Sequence, residues 1–324
     1  MKKIYIISTP YHLLISIVKT ILAQRIGMDD IIVYNFYLSE NTIKNISKIF
    51  STVYPCNHFR ILAELMSLKI KVSRIPFISK NATTKFGAFF FQSKEIYAFN
   101  DDSYFGCLFN TLKIDYNLIE DGLNFYSYDT SKIKLHSKLY DFLGFSWKSF
   151  GYSKFTKSVE VNDINNICLK HQNIIEVDRE HMFMQLKDAE IDAIAKIFEY
   201  QPLNMPSNKT CSMLLTQPLS EDGFISHSKK IKLYKYLVEK YAIGTLYIKA
   251  HPREKEDYSK IFPNAVVIKN NKIPFEIFLL KEKLHFKRVI SAFTTAMDAI
   301  FCADEKIQMG LEWTMNFGKE KKGP

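Results

Sequence analysis

Short runs of β-branched and aromatic residues recur along this chain, and most are followed by a longer stretch whose apolar residues return every three or four positions. Parallel strands cannot be joined by tight turns, so strand-like runs separated by amphipathic helices point to βα units around parallel sheets. In the first half this pattern predicts strands over residues 3–7, 31–36, 95–99 and 116–119, and helices over 11–23, 41–49, 60–68 and 104–112. The proline- and asparagine-rich loop Gln201-Pro202-Leu203-Asn204-Met205-Pro206-Ser207-Asn208 then breaks the pattern. After it the alternation starts again, with strands predicted over 212–216, 246–250, 265–268 and 288–291 and helices over 228–241, 275–280 and 295–302. One further helix, over 190–198, precedes the loop. The 324 residues are about twice the length of an ordinary domain. The expected organisation is therefore α/β, with two Rossmann-like domains spanning 1–200 and 201–324.

In open α/β sheets, ligands bind beyond the carboxyl ends of the strands. That rule selects five places: Ser8-Thr9-Pro10-Tyr11-His12, Glu120-Asp121-Gly122, Thr216-Gln217-Pro218 through Glu221-Asp222-Gly223, Lys249-Ala250-His251-Pro252, and Ser291 through Thr295. Glu120-Asp121-Gly122 offers a carboxylate suited to general-base work, and the same tripeptide is an ordinary strand-to-loop turn. Its second copy, Glu221-Asp222-Gly223, is a rival base or a solvated acidic loop. Pro252 holds His251 extended at a strand exit between the cations Lys249 and Arg253, where an imidazole can meet a phosphate. Ser291, Thr294 and Thr295 stand at a predicted helix start, whose free N–H groups and positive dipole end suit a phosphate or, more simply, an N-cap. Glu276, at the start of another predicted helix, either accepts from ribose hydroxyls or complements the dipole.

Composition prunes the classes. A hydrophobic fraction of 47% with 24% charged residues excludes a disordered, collagen-like or multi-span membrane chain. Lys+Arg 44 against Asp+Glu 34 leaves +10, which suits an anionic partner. The five cysteines, Cys56, Cys107, Cys168, Cys211 and Cys302, are scattered and never paired as C-x-x-C, so neither a disulfide framework nor a zinc site is expected and a reducing cytoplasm is. The basic-then-apolar N-terminus is interrupted by Pro10, Tyr11 and His12 and closed by Lys19, so it reads as strand, turn and helix rather than a signal peptide. No G-x-G-x-x-G, Walker loop, G-x-S-x-G, H-E-x-x-H or D-x-D occurs. A metal-independent group transfer fits these absences better than a metal-dependent one.

Taken together and in order, the opening Lys3-Ile-Tyr-Ile-Ile-Ser-Thr-Pro-Tyr-His-Leu-Leu14, Glu120-Asp121-Gly122, Lys249-Ala-His251-Pro252 and Thr294-Thr295 resemble the bacterial sialyltransferases of glycosyltransferase family 52, the lipooligosaccharide and capsule enzymes. The resemblance spans nearly the whole chain. It implies a GT-B fold of two Rossmann-like domains facing each other across a cleft, an N-terminal acceptor side and a C-terminal donor side. It also implies CMP-sialic acid as donor, a galactose-terminated acceptor, inversion at the anomeric carbon, and no metal or other cofactor. Carried onto this sequence, it puts His251 at the CMP phosphate, Thr294 and Thr295 at a hydroxyl pair, and Glu276 at the cytidine ribose. Thr9, Gln217, Lys249, Pro252 and Ser291 complete the expected donor set. The base falls to the acidic pair Glu120 and Asp121, with Asp121 preferred, or to Asp222.

The nearest enzyme rival is another GT-B transferase, such as a CDP-glycerol-using glycerophosphotransferase of wall polymers. A non-catalytic basic protein is the rival of another class. Its basic residues are dispersed and no nucleic-acid module occurs, so nucleic acid is not an expected partner. The expectation is a cytoplasmic enzyme in peripheral contact with the anionic inner face of the membrane, aided by the 319–322 tail, with a homodimer left open.

Overall fold

The computed structural model describes residues 1–63, 65, 91, 94–121, 148, 150–165, 167, 173–202, 210–251, 253–268, 273–294, 297, 300 and 302–318. The chain divides into two compact units, Met1–Glu199 and Tyr200–Pro324. In the first, β1 (Lys2–Ile7), α1 (Pro10–Leu22), β2 (Asp30–Tyr34), α2 (Glu40–Ile46) and β3 (Thr52–Cys56) are followed by β4 (Lys94–Ala98), α3 (Tyr104–Leu112) and β5 (Tyr116–Ile119). Then come β6 (Thr156–Val161), β7 (Ile174–Glu176), α4 (Arg179–Met184) and α5 (Asp188–Ile197). The seven strands are all parallel, in the order β3-β2-β1-β4-β5-β6-β7.

The second unit contains β8 (Cys211–Leu215), α6 (His227–Tyr241), β9 (Thr245–Lys249), α7 (Tyr258–Ile261), β10 (Val266–Ile268) and α8 (Phe275–Glu282). It closes with β11 (Phe286–Ser291), β12 (Ala303–Gln308) and α9 (Leu311–Asn316). Its parallel order, β10-β9-β8-β11-β12, repeats the first sheet's logic: the chain winds outward from a central strand, returns, and winds out the other way. The order reverses between β1 and β4 and between β8 and β11. Those two switch points are where such sheets open a crevice at their carboxyl ends.

The inner strands are buried on both faces, as parallel strands covered by crossover helices must be. All five residues of β8 are buried. Its alternate side chains enter separate cores, with Met213 and Leu215 against Phe278 and Leu279, and Leu214 against Leu233, Tyr234 and Leu237 of α6. In the first unit Ile4, Ile6, Ile96 and Leu118 pack with Phe105 and Phe109 of α3. Helix α3 docks so closely that a Cβ on Gly106 would lie 1.9 Å from the Asp101 carbonyl oxygen. Among the described residues no helix is long and apolar enough to cross a membrane. Cys56, Cys107, Cys211 and Cys302 are in no disulfide, and Cys168 lies outside the described residues.

The structure adds β3, β6, β7 and β12, which periodicity does not predict, and two of them have a plain reason. β3 carries Pro55, tolerated because β3 is an edge. β12, Ala-Asp-Glu-Lys-Ile-Gln, is largely exposed and charged because it is the other sheet's edge, where charge discourages pairing with a second chain. The strand expected over 31–36 stops at Tyr34, since Asn35 turns left-handed at φ 55°. The helix expected over 41–49 runs Glu40–Ile46, started by the Ser39 hydroxyl accepting from the Thr42 N–H at 3.0 Å. Much of the helices expected over 60–68 and 295–302 lies outside the described residues.

Two buried ionic anchors fix the loops at the strand ends. In the first unit Asp101 accepts from the Tyr116 hydroxyl at 2.8 Å and from the backbone N–H groups of Phe150 at 2.5 Å and Gly151 at 3.0 Å. In the second, the wholly buried Lys230 of α6 donates to Glu221 at 3.0 Å and pairs with Glu254 and Glu256 at 2.8 Å each. Glu254 in turn accepts from the Tyr258 hydroxyl at 2.7 Å, the His251 N–H at 2.8 Å and the Thr216 hydroxyl. One helix thereby ties the loop after β8 to the loop after β9.

Lys230→Met leaves Glu254 charged and buried without a counter-charge, and is expected to cost about 3–5 kcal/mol in urea unfolding. Adding Glu254→Gln is expected to cost less than the two single changes summed. Asp101→Ala, which strands three donors, is expected to cost about 3 kcal/mol. Burial raises the Asp101 pKa to about 6, against the three hydrogen bonds that lower it, whereas the unfolded chain titrates near about 3.9. The native state then binds that proton more tightly. Relative to Asp101→Asn, the wild-type protein is expected to lose stability as pH rises from about 4 through about 6, and to change no further above that.

Candidate functional site

The carboxyl end of the first sheet gathers the loop after β1, the start of α1 and the loop after β5. Thr9 is the N-cap of α1, its hydroxyl accepting from the His12 N–H at 3.2 Å. Pro10 occupies the first helical position, where its missing N–H costs nothing. These local choices set His12 on the helix's buried side. Its side chain is fully enclosed and stacks on Phe99, with ring centroids 4.4 Å apart and planes at 9°. The imidazole Nδ1 accepts from the Ser8 N–H at 3.2 Å, and Nε2 meets Asp121 Oδ1 at 2.5 Å. Asp121 is about a quarter exposed, at 26%. Its Oδ2 has no hydrogen-bond partner among the described residues.

Glu120, the neighbouring candidate, is otherwise occupied. Its N–H donates to the Glu160 carbonyl at 2.8 Å and its Oε2 accepts from the Asn162 N–H at 2.6 Å, so it fastens the end of β5 to the end of β6. Asp222 is held in a two-pronged pair by Arg253, at 2.7 and 2.9 Å. Such a fork engages both carboxylate oxygens. Of the three acids proposed from the sequence, Asp121 has an oxygen open to solvent with a rigid donor behind it.

In the second unit the switch-point strands deliver Gln217 after β8 and Ser291 at the end of β11. Gln217 is locked by Tyr234, whose hydroxyl accepts from the Gln217 N–H at 2.7 Å and donates to the Gln217 carbonyl at 3.2 Å. Ser291 is fully buried, and its hydroxyl has no partner among the described residues, an uncommon condition for a buried polar atom. Thr294 is buried, with its N–H donating to the Gln308 side-chain oxygen at 3.1 Å. Thr295, Pro252 and Gly122 lie outside the described residues.

His251 follows β9. Its Nδ1 accepts from the Arg253 N–H at 3.2 Å, so the neutral ring carries its proton on Nε2. Burial, then the charge of Arg253, lowers its pKa, with Glu254 and Asp222 pulling the other way. Burial likewise lowers the Lys249 pKa to about 8, opposed by Glu276. Glu276, in the first turn of α8, is buried and its pKa is raised by that burial, opposed by its own N–H and by Lys249. Half-buried Lys249 and buried Glu276 thus lie near enough for the charge of each to favour the charge of the other. Among the described residues no group of three or more His, Cys, Asp or Glu side chains is placed to hold a metal ion.

Sequence reasoning placed His12 in the opening motif without a role and passed over Lys230, Tyr234 and Glu254. A signal for Lys230 did exist, since it occupies the apolar stripe 230, 233, 234, 237 of α6, whose members are all buried.

The sequence profile of glycosyltransferase family 52 matches residues 32–309. An uncharacterized protein of Haemophilus influenzae is 33% identical over 187 residues, or 57% of this chain and 58% of that protein, so the chain spans little more than half of this relative. Among solved structures, an α/β-galactoside α-2,3-sialyltransferase of Photobacterium phosphoreum superposes with a TM-score of 0.58 at 12% identity, covering 98% of this chain and 96% of that one. A 2,6-sialyltransferase of a Photobacterium species, solved in a ternary complex with CMP and lactose, does so with a TM-score of 0.56 at 10% identity, covering 99% and 78%. At such identities the likeness is one of fold, and that fold is of the GT-B type. The family profile runs through both units and most of the chain, and the protein belongs to glycosyltransferase family 52.

Proposed function

We propose that this glycosyltransferase is an inverting, metal-independent sialyltransferase. In this reading it moves sialic acid from CMP-sialic acid to a galactose-terminated glycan of a bacterial surface lipooligosaccharide or capsule. The observation that carries the reading is Asp121 at the carboxyl end of β5, with one oxygen held by a buried histidine and the other open. Sialyltransferases among the fold's relatives support it, one of them solved with CMP and lactose.

In this mechanism Asp121 Oδ2 takes the proton of the acceptor hydroxyl as the acceptor oxygen forms its bond to the anomeric carbon. The bond from that carbon to the phosphate oxygen breaks on the opposite face, and its electron pair leaves with CMP. The charge growing on the phosphate is met by the His251 Nε2–H, the Lys249 ammonium and the hydroxyls of Ser291, Thr294 and Thr295. Glu276 and Gln217 serve the cytidine end, and Thr9, whose hydroxyl caps α1, completes the donor set. The +10 net charge suits an anionic donor and a cytoplasmic enzyme working against the anionic inner face of the membrane.

The direct test is transfer from CMP-sialic acid to lactose and a panel of galactose-terminated glycans in the presence of EDTA, with the product's anomeric configuration read by NMR. Turnover with inversion is expected. No turnover with this donor across the panel, together with activity on CDP-glycerol, overturns the reading in favour of a glycerophosphotransferase. Asp121→Ala is expected to lower turnover about 10²–10⁴-fold, with Asp222→Ala within about tenfold of the wild type; the reverse ranking would make Asp222 the base.

A pH experiment tests the donor side. An anionic phosphate beside Lys249 favours its ammonium form, so binding takes up a proton wherever the free lysine, with its pKa of about 8, is neutral. The affinity for CMP, measured by calorimetry, is expected to fall as pH rises through about 8 and on toward about 9.5. Lys249→Met should flatten that slope, and a wild-type affinity constant over this range would remove Lys249 from the phosphate site.

A further inference from the structure

We infer that His12 is the positioning residue for the base: it acts through Asp121, orienting the carboxylate as a neutral hydrogen-bond donor without itself taking the proton. The inference rests on the assignment of Asp121 as base.

Three contacts bear on the state of the ring: Nδ1 faces the Ser8 N–H and, at 3.3 Å, the Ser8 hydroxyl, which can donate to it as well, and Nε2 meets Asp121. A backbone N–H can only donate, so Ser8 N–H at 3.2 Å from Nδ1 requires a lone pair there. The proton of the neutral ring therefore sits on Nε2, where it points at Asp121 Oδ1. An imidazolium would set an Nδ1–H against the Ser8 N–H in a ring site closed to bulk solvent. The ring cannot swing away either. Phe99 covers its face and the Thr9 cap fixes the backbone from which it projects. The carboxylate is accordingly held by one oxygen, and Oδ2 is the atom left to receive a proton.

This arrangement also gives the proton a single destination. With Nδ1 committed to Ser8 and Nε2 already carrying hydrogen, His12 has no site that could take the acceptor proton onward. The proton rests on Asp121 and leaves through the exposed side of that carboxyl once product departs. A donor that fixes the orientation of a reacting group in this way commonly governs its efficiency by about 10–100-fold.

Three substitutions separate positioning from packing. His12→Phe preserves the stack on Phe99 and deletes the donor. His12→Gln reaches the place of Nε2 with an amide N–H, and His12→Asn reaches only the place of Nδ1. With melting temperature monitored, kcat is expected to fall about 10–100-fold in the Phe and Asn variants, with the KM for donor and acceptor within about threefold of wild type. The Gln variant should recover at least about tenfold of that loss. In an Asp121→Ala background, His12→Phe should cost nothing further, because the group it orients is gone. A Phe variant with normal kcat, a Gln variant no better than Asn, or additive losses in the double variant would each overturn the inference. If Asp121→Ala itself keeps near-normal turnover, it is the base assignment that fails. A readout independent of turnover is ¹⁵N NMR of histidine-labelled protein. His12 should appear as the neutral Nε2–H tautomer with a proton signal that shifts in Asp121→Asn; an Nδ1–H tautomer would overturn the inference.

Discussion

A lysine ammonium with no access to water is costly to bury, and in this protein three glutamates surround it. Lys230 matters because of what its partners hold. Glu254 carries the His251 N–H and the Thr216 hydroxyl as well as the lysine, and Glu221 belongs to the loop after β8. Burial would raise the Glu221 pKa, but the hydrogen bonds from Lys230 and Ser220 bring it down to about 2, so it is charged throughout the physiological range. Tyr234, one turn further along α6, fastens Gln217. The apolar face of one helix therefore carries the polar ties that align two strand ends, and the side chains at those ends inherit their positions from it.

The first unit meets the same need with a different device. Its loops are pinned by Asp101 and by the pairing of β5 with β6 through Glu120, which leaves Asp121 as the carboxylate not consumed by structure. The two Glu-Asp-Gly copies are thereby distinguished by their surroundings and not by their sequence. Near the first, an enclosed histidine supplies one donor to one oxygen. At the second, Arg253 covers both oxygens of Asp222. A base must keep a lone pair free for the incoming proton, and among the described residues only the first arrangement provides it.

Much of the architecture was legible because parallel sheets write a strong pattern. Completely buried inner strands such as β8 read as continuous apolar runs, and helices such as α1 and α6 show their stripes. The edge strands β3 and β12 escaped because their residues answer to solvent as much as to the sheet. A proline in β3 and the charged alternation of β12 look like loop until a neighbouring strand supplies the hydrogen bonds. The candidates Asp121, Asp222, His251, Lys249 and Ser291 were selected by their places at or just after strand ends, a rule that rests on topology and needs no distances.

The sequence by itself determined that this is a doubled α/β chain with its polar chemistry at strand ends, since hydrophobic periodicity and loop composition are local properties. It also carried enough of the pattern of glycosyltransferase family 52 for that family's profile to match residues 32–309. Only the tertiary structure decided which carboxylate is open, which nitrogen of His12 bears hydrogen, and why a lysine stands in an apolar stripe. Those outcomes depend on contacts between residues far apart in the chain: His12 and Asp121 are 109 positions apart, and no periodicity records a distance across a fold.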